Sequence, residues 1–282
     1  KLIFVSGKGG VGKSAVAASL ALIAARRGLR VLVVGMVEGV GVASHFATEQ
    51  LGYAPHRVRP GIDALAVGRT EALDEYLRLQ LHIPRATPTK ALSRALNVLA
   101  ETAPGVREIV TIGKPVFEMW RGRYDVVLVD APPLGQLFSY LRAPNTIADL
   151  VPAGPIQNQA ARMHDALVDE AITCLVLVST PEELPVLETN AALERLVIEP
   201  VIKLSSVVAN RLLPEFDVTA DEIEALPAGP HREAATHHHA LQLQQMRWLD
   251  QLPEGPHLPY LFGLRTAGEV SEQLADIWDT LI

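Results

Sequence analysis

Cysteine is almost absent: Cys174 is the one thiol in 282 residues, so no disulfide can form within the chain, as in proteins of a reducing compartment. It lies in the apolar run Thr173-Cys174-Leu175-Val176-Leu177-Val178, where a buried structural thiol is expected rather than a nucleophile. Positive charge is also short, with 25 Lys and Arg against 32 Asp and Glu and a formal net charge of −7. That balance gives no general attraction for nucleic acid or an anionic membrane surface, and no nucleic-acid partner is expected. Long apolar runs are missing too: the uncharged stretch 14–25 is too short to span a bilayer and ends at Arg26-Arg27. No membrane span and no signal peptide are read, and a cytoplasmic location is expected. The first residue is Lys1 rather than Met and stands directly before an apolar strand, so a short natural N-terminus is expected to be missing.

What the chain does have is apolar mass. At 49% hydrophobic and 20% charged residues it can fill the core of one large α/β domain. Runs resembling buried parallel strands occur at residues 2–6, 31–35, 62–67, 125–130, 173–179 and 206–210, with helix-like segments between several of them. This alternation predicts a doubly wound, mostly parallel sheet flanked by helices, in a single domain over residues 1–282. Between about residues 70 and 123 the pattern changes: Leu73, Leu77 and Leu81 recur at helical spacing, and Pro84, Pro88, Pro104 and Pro115 punctuate further helical stretches. A helical insertion is expected there, continued at about 152–169 by a segment carrying Gln157, Asn158 and Gln159.

The segment Gly7-Lys8-Gly9-Gly10-Val11-Gly12-Lys13-Ser14 follows the apolar run Leu2-Ile3-Phe4-Val5 and precedes an alanine-rich run that begins at Ala15. Glycines at these positions let the backbone curl so that successive N–H groups face phosphate oxygens at the positive end of the next helix. The pattern is that of a phosphate-binding loop, in which Lys13 reaches the β- and γ-phosphates and the Ser14 hydroxyl binds Mg²⁺. A second apolar run from Tyr124 ends in Asp130-Ala131-Pro132-Pro133-Leu134-Gly135. A carboxylate at the end of a strand is where the Walker B aspartate sits, so Asp130 joins Ser14 at the metal. Glycine permits the backbone change that a γ-phosphate sensor needs, which makes Gly135 a candidate switch position. ATP and Mg²⁺ are the expected cofactors.

Lys8, directly after the first glycine, is extra to an ordinary phosphate loop. With it the loop resembles the deviant Walker A motif of the family that includes partition ATPases, nitrogenase iron protein, arsenite-pump ATPases and tail-anchored-protein targeting ATPases. In that family the extra lysine reaches nucleotide phosphates, often across a dimer interface, so the resemblance implies a homodimer or heterodimer with Lys8 and Lys13 as catalytic cations. Asp130-Ala131-Pro132-Pro133-Leu134-Gly135-Gln136-Leu137 is similar to the switch II segment of the arsenite-pump and tail-anchor-targeting branch, which implies Asp130, Pro133, Gly135 and Gln136 as the γ-phosphate switch. Residues 179–189, beginning Ser179-Thr180-Pro181-Glu182, resemble that branch's motif after the next strand. Val207-Val208-Ala209-Asn210-Arg211-Leu212-Leu213-Pro214 resembles its strand-end asparagine segment, which implies Asn210 at the adenine ring, with Arg211 also nucleotide-binding. Residues 266–282 fit the terminal helix more loosely. On these landmarks the chain is identified as a member of the anion-transporting ATPase family, similar to the branch found as paired subunits. The resemblance implies a nucleotide-driven switch that moves a helical layer toward a protein client.

The departures are as informative. After the second strand the family usually carries an aspartate that positions or activates the attacking water. Here Gly35-Met36-Val37-Glu38-Gly39-Val40-Gly41-Val42 contains none, and Glu38 is either a displaced catalytic carboxylate or a solvated loop charge. Two outcomes stay open: an ATPase, slowed by that loss, or a regulatory subunit that binds ATP beside a related catalytic chain. Ala15 replaces the usual threonine; its N–H remains at the phosphates, so the loss is about one hydrogen bond, ~1 kcal/mol. Arsenite is disfavoured as a ligand, because a soft metalloid takes thiolates and one cysteine is present. The zinc-binding Cys-x-x-Cys of the eukaryotic targeting branch is absent, and Met36, Met119, Met163 and Met246 are too few for its methionine-rich groove. His237-His238-His239 is expected in a solvated loop or helix end, since adjacent side chains diverge and no ligand set accompanies them. Trp120, Trp248 and Trp278 are expected to be packing residues.

Overall fold

The computed structural model describes residues 1–36, 41–48, 50–80, 105–215, 217–263 and 265–280. Glu38, Leu81, Pro84, Pro88 and Pro104 therefore lie outside the described residues. The strands are β1 (Leu2–Gly7), β2 (Val31–Gly35), β3 (His56–Arg59), β4 (Ile62–Ala66), β5 (Val126–Asp130), β6 (Thr173–Ser179), β7 (Leu204–Leu212) and β8 (His257–Pro259). They form one sheet in the order β3-β4-β2-β5-β1-β6-β7-β8. Every neighbouring pair is parallel except β3 and β4, which run antiparallel. This is the α/β, mostly parallel sheet that the sequence predicts.

The sheet forms because its central strands are apolar on both faces, as a parallel sheet covered by helices on both sides requires. Leu32, Val34, Val127, Val129, Leu175 and Leu177 face one core, whereas Val31, Val33, Val126, Leu128, Val176 and Val178 face the other. The second core is closed by α1 (Lys13–Arg26), a 3-10 turn (Gly41–Phe46) and the last helix. In α1, Ala15, Ala17, Ala18 and Ala21 are buried, and these small side chains let the helix lie close on the strands. The first core is closed by α2 (Arg69–Gln80), α3 (Val106–Trp120), α4 (Leu134–Leu150), α5 (Pro155–Val168) and α6 (Glu183–Ile198). The chain ends through α7 (Ala220–Glu224), α8 (Pro230–Leu249) and α9 (Ala267–Asp279). Among the described residues no helix is long and apolar enough to cross a membrane.

Three local expectations are corrected, and two strands join those read from the sequence. β3 and β8 escape the pattern search: β3 reads His56-Arg57-Val58-Arg59, an edge strand with polar side chains, and β8 is three residues long between Pro256 and Tyr260. Pro115 does not punctuate a helix but sits buried inside α3. The histidine run lies within α8 rather than in a loop or at a helix end. Cys174 is half-buried rather than buried, because it sits at the start of β6 near Lys1.

A buried ion network ties α2 and α3 together. Lys114 Nζ lies 2.9 Å from Glu75 Oε2 and 3.0 Å from Glu118 Oε1, and stands 4.2 Å from the centre of the Tyr53 ring. Glu118 is 0% exposed and is also met by Arg123 at 2.9 Å.

Candidate functional site

The site is built at the carboxyl ends of the central strands. Gly7 ends β1 where the backbone passes so close to β6 that a Cβ would lie 2.0 Å from the Val178 carbonyl oxygen. Gly12, with φ 97°, closes the loop and caps α1 in the left-handed region; a Cβ there would meet Asn210 Nδ2 at 2.4 Å. Gly9 and Gly10 are exposed at the loop tip, and Val11 is buried beneath it. No side chain caps the start of α1 and its first turn has no acidic residue, so its N–H groups are left open at the positive end of the helix. Ala15, in that first turn, is buried.

Two of the loop's side chains are turned inward. Lys13 Nζ donates to the Lys8 carbonyl oxygen at 2.9 Å. Burial pulls the Lys13 pKa down, and the Asp130 carboxylate opposes that shift. Ser14 Oγ donates to Asp130 Oδ2 at 2.7 Å. Asp130 is 3% exposed, and burial pushes its pKa up against the opposing effects of the Ser14 bond and Lys13. Its backbone is pinned on both sides: Met36 N–H donates to the Asp130 carbonyl oxygen, and Ala131 N–H donates to the Val5 carbonyl oxygen, each at 3.0 Å. Ser6 Oγ fixes the next turn by donating to the Pro132 carbonyl oxygen at 2.7 Å.

Of the other sequence-selected residues, Lys8 lies on the loop itself, Asn210 and Arg211 in β7, and Pro133, Gly135 and Gln136 at the start of α4. Lys8 is ion-paired within the chain to Glu188 of α6, both partly exposed. Asn210 is buried at the end of β7, with its Nδ2 donating to the Val11 carbonyl oxygen at 2.8 Å, so it braces the loop from below. Arg211 follows with φ 63°, an uncommon backbone for a side-chain-bearing residue, and is exposed. Gln245 of α8 holds that bend, accepting from Leu213 N–H at 2.9 Å and donating to the Arg211 carbonyl oxygen at 3.2 Å. Pro133 caps α4, while Gly135 and Gln136 occupy its first turn with exposed positions. Glu38 lies outside the described residues.

Sequence reasoning missed three contributors. Glu188, within the motif-like segment 179–189, carries no role read from it, and Gln245 lies in no motif; both meet the site only through folding. The third is an exposed aromatic pair just past β8, Tyr260 and Phe262, with ring centres 4.9 Å apart. Tyr260 N–H donates to the Leu212 carbonyl oxygen at 2.7 Å, which ties the pair to the end of β7.

Comparison with known proteins agrees with this geometry. A family model described as Anion-transporting ATPase matches residues 1–158 and 153–228. ATPase BagA of Mycobacterium tuberculosis is 32% identical over 80% of this chain and 72% of its own length. A putative arsenical pump-driving ATPase of Halobacterium salinarum is 29% identical over 76% of this chain and 36% of its own length. An ATPase ASNA1 homolog of Entamoeba dispar is 24% identical over 77% of this chain and 78% of its own length. Since the family's model covers most of the chain, loop and strand-end aspartate included, the chain belongs to the anion-transporting ATPase family.

Proposed function

We propose that the chain binds ATP with Mg²⁺ and hydrolyses it, and that it works as a dimer whose nucleotide state moves its helices toward a partner. The observation that carries this reading is the 2.7 Å bond between Ser14 and Asp130 beside the uncapped start of α1. A hydroxyl and a desolvated carboxylate are hard oxygen donors of the kind Mg²⁺ takes, directly or through water. The residues fit the cation, which supplies charge for the phosphate oxygens when bound. Lys13 has only to exchange the Lys8 carbonyl for a phosphate oxygen. The loop N–H groups hold the remaining phosphate charge, Asn210 keeps the loop in shape, and Arg211, Tyr260 and Phe262 offer a cation and aromatic faces for the base.

Lys8 has two roles in this reading. Without a partner it is held by Glu188 of its own chain; in the dimer it neutralises phosphate charge across the interface. Asp130, Pro133, Gly135 and Gln136 respond to the γ-phosphate and carry the response into α4. We read residues 1–282 as one cytoplasmic domain, with its helical layer at about 70–123 and 152–169 available to a protein client. The second chain of the dimer is a like copy or a related ATPase. Neither nucleic acid nor arsenite enters this reading: the net charge is −7 and Cys174 is the one thiol.

A second reading, a regulatory subunit that binds ATP with little turnover, is favoured by one observation: residues 35–42 contain no aspartate and Glu38 is their single carboxylate. Phosphate release and ATP affinity, measured on wild type, Lys13→Ala and Glu38→Gln, separate the two. Turnover lost in both variants supports the ATPase with Glu38 at the attacking water. Tight binding without turnover supports the regulatory subunit, and absence of ATP binding by the wild type overturns both.

A further inference from the structure

The 3-10 turn after β2 is fastened to the last helix by a histidine. His45 Nδ1 lies 2.9 Å from the Ala267 carbonyl oxygen and 2.7 Å from Ser271 Oγ, both on α9. A proton on Nδ1 serves both acceptors, and Ser271 Oγ donates in turn to the Ala267 oxygen at 3.3 Å. Ser271 is 0% exposed, and burial holds the His45 imidazole below its usual pKa, which favours the neutral ring. The backbones are equally close: a Cβ on Gly268 would lie 3.4 Å from the His45 carbonyl oxygen.

Helix α9 is also tied, through the same Ser271, to α1, the helix that follows the loop. Ser19 Oγ, buried in α1, meets the Ser271 carbonyl oxygen at 3.0 Å and the Ala15 carbonyl oxygen at 2.8 Å, and Ala15 directly follows Ser14. His45, Ser271 and Ser19 thus form one polar junction among Val42, Phe46, Leu274 and Trp278. Apolar side chains of similar size would fill that space without needing partners, so the hydrogen bonds specify position rather than bulk. The turn they position begins at Gly41, where a Cβ would lie 3.8 Å from Asp130 Oδ2. Met36 N–H holds the Asp130 main chain through its carbonyl oxygen, while Gly41 lies beside the carboxylate.

We propose that His45 is a positioning residue for the Ser14–Asp130 site: through Ala267 and Ser271 it sets the Gly41–Phe46 turn against α1, and the turn walls one side of the Asp130 carboxylate. The inference deepens the ATPase reading and rests on it. The test is Mg²⁺-ATP turnover, ATP affinity and amide hydrogen exchange over residues 41–48, for wild type, His45→Ala, Ser271→Ala and His45→Asn. Asparagine places a donor nitrogen at the same remove from the backbone as Nδ1. In His45→Ala, kcat falls on the order of tenfold with ATP affinity and KM nearly unchanged, because a small displacement beside the reacting groups acts on the barrier rather than on binding. Exchange over 41–48 quickens, Ser271→Ala reproduces both effects, and His45→Asn restores turnover. Ser271→Ala carries the same test should His45→Ala not fold. Wild-type turnover in His45→Ala overturns the proposal, as does an equal loss in His45→Asn. A wild type that neither binds nor hydrolyses ATP fails the ATPase reading instead, and unchanged exchange over 41–48 in His45→Ala then overturns the junction by itself.

Discussion

Asp130→Asn should make the nucleotide-free protein more stable while abolishing its response to Mg²⁺. Asp130 is 3% exposed and its pKa is raised by burial, with the Ser14 bond and Lys13 opposing. The folded chain thus holds that proton more tightly than the unfolded chain does. The stabilising contribution is fully present below the ordinary carboxylate pKa of about 3.9 and is lost as pH rises through the raised folded value. Above that raised value the ionised carboxylate works against the nucleotide-free fold. Asparagine keeps an oxygen for Ser14 Oγ, now 2.7 Å from Oδ2, and removes the buried charge. The lost attraction for Lys13 offsets part of the gain. A net stabilisation of about 1 kcal/mol is expected from the scale of burying a polar group, and in a chain of this size that is a Tm rise of ~2–4 °C. Scanning calorimetry with and without Mg²⁺-ATP reads both effects. The wild type gains stability by mass action when the ligand is added, and the variant should gain little. As pH falls through the raised folded value, the nucleotide-free difference should shrink while Asp130 takes up its proton. A nucleotide-free variant less stable than wild type at neutral pH, or a difference that widens on acidification, refutes the reasoning.

Gly12→Ala forces a side chain onto a backbone at φ 97° and to within 2.4 Å of Asn210 Nδ2, so the urea midpoint should drop by the equivalent of about 1–3 kcal/mol and ATP affinity in titration calorimetry should drop with it; unchanged affinity would show that the loop tolerates a different shape. Glu188→Ala releases Lys8 from a partly exposed pair worth under about 1 kcal/mol, so Tm should barely move. In sedimentation velocity its Mg²⁺-ATP-dependent dimer should appear at lower protein concentration, and weaker dimerisation would mean that Glu188 itself belongs to the interface. Glu118→Ala leaves Lys114, which is 3% exposed, with Glu75 alone and strips Arg123 of its partner; urea unfolding should register a loss of about 3–5 kcal/mol, and a loss within error would mean that the network is idle.

The parts of this fold that could be read from sequence are those where one physical demand acts on consecutive residues. β1, β2, β5 and β6 are apolar on both faces, and the loop needs glycine where the backbone approaches Val178 or turns left-handed, so both are visible in short windows. β3 and β8 answer no such demand: one has a polar edge and the other takes its hydrogen bonds from Ala209 N–H to the Pro256 carbonyl oxygen and from Tyr260 N–H to the Leu212 carbonyl oxygen. The histidine run is helical because Pro230 opens α8 seven residues before it, a helix-start signal that diverging imidazoles do not cancel. Contacts between distant residues leave no local trace. His45 and Ser271 are 226 positions apart, Asn210 and Val11 are 199 apart, and Lys8 and Glu188 are 180 apart, so which side chain closes on which is decided by sheet order.

The electrostatics of Lys13 and Asp130 show why that order matters for function. Both groups are displaced toward their neutral forms by the same burial, the amine downward and the carboxyl upward, and each partly relieves the other. Their internal partners, the Lys8 carbonyl oxygen and the Ser14 hydroxyl, satisfy hydrogen bonds without returning the lost hydration. A ligand that brings negative charge to Lys13 and positive charge to Asp130 relieves both at once, so triphosphate and divalent cation should assist each other by the same factor in either order of binding. ATP affinity measured with and without Mg²⁺, against Mg²⁺ affinity with and without ATP, closes that cycle. In Asp130→Asn the mutual factor should fall toward the value that the ligands show for each other in free solution, whereas in Asn210→Ala, which loosens the loop but leaves both charges, ATP affinity should fall and the factor should survive. A factor that survives in Asp130→Asn would mean that the coupling runs through the loop backbone and not through the buried carboxylate.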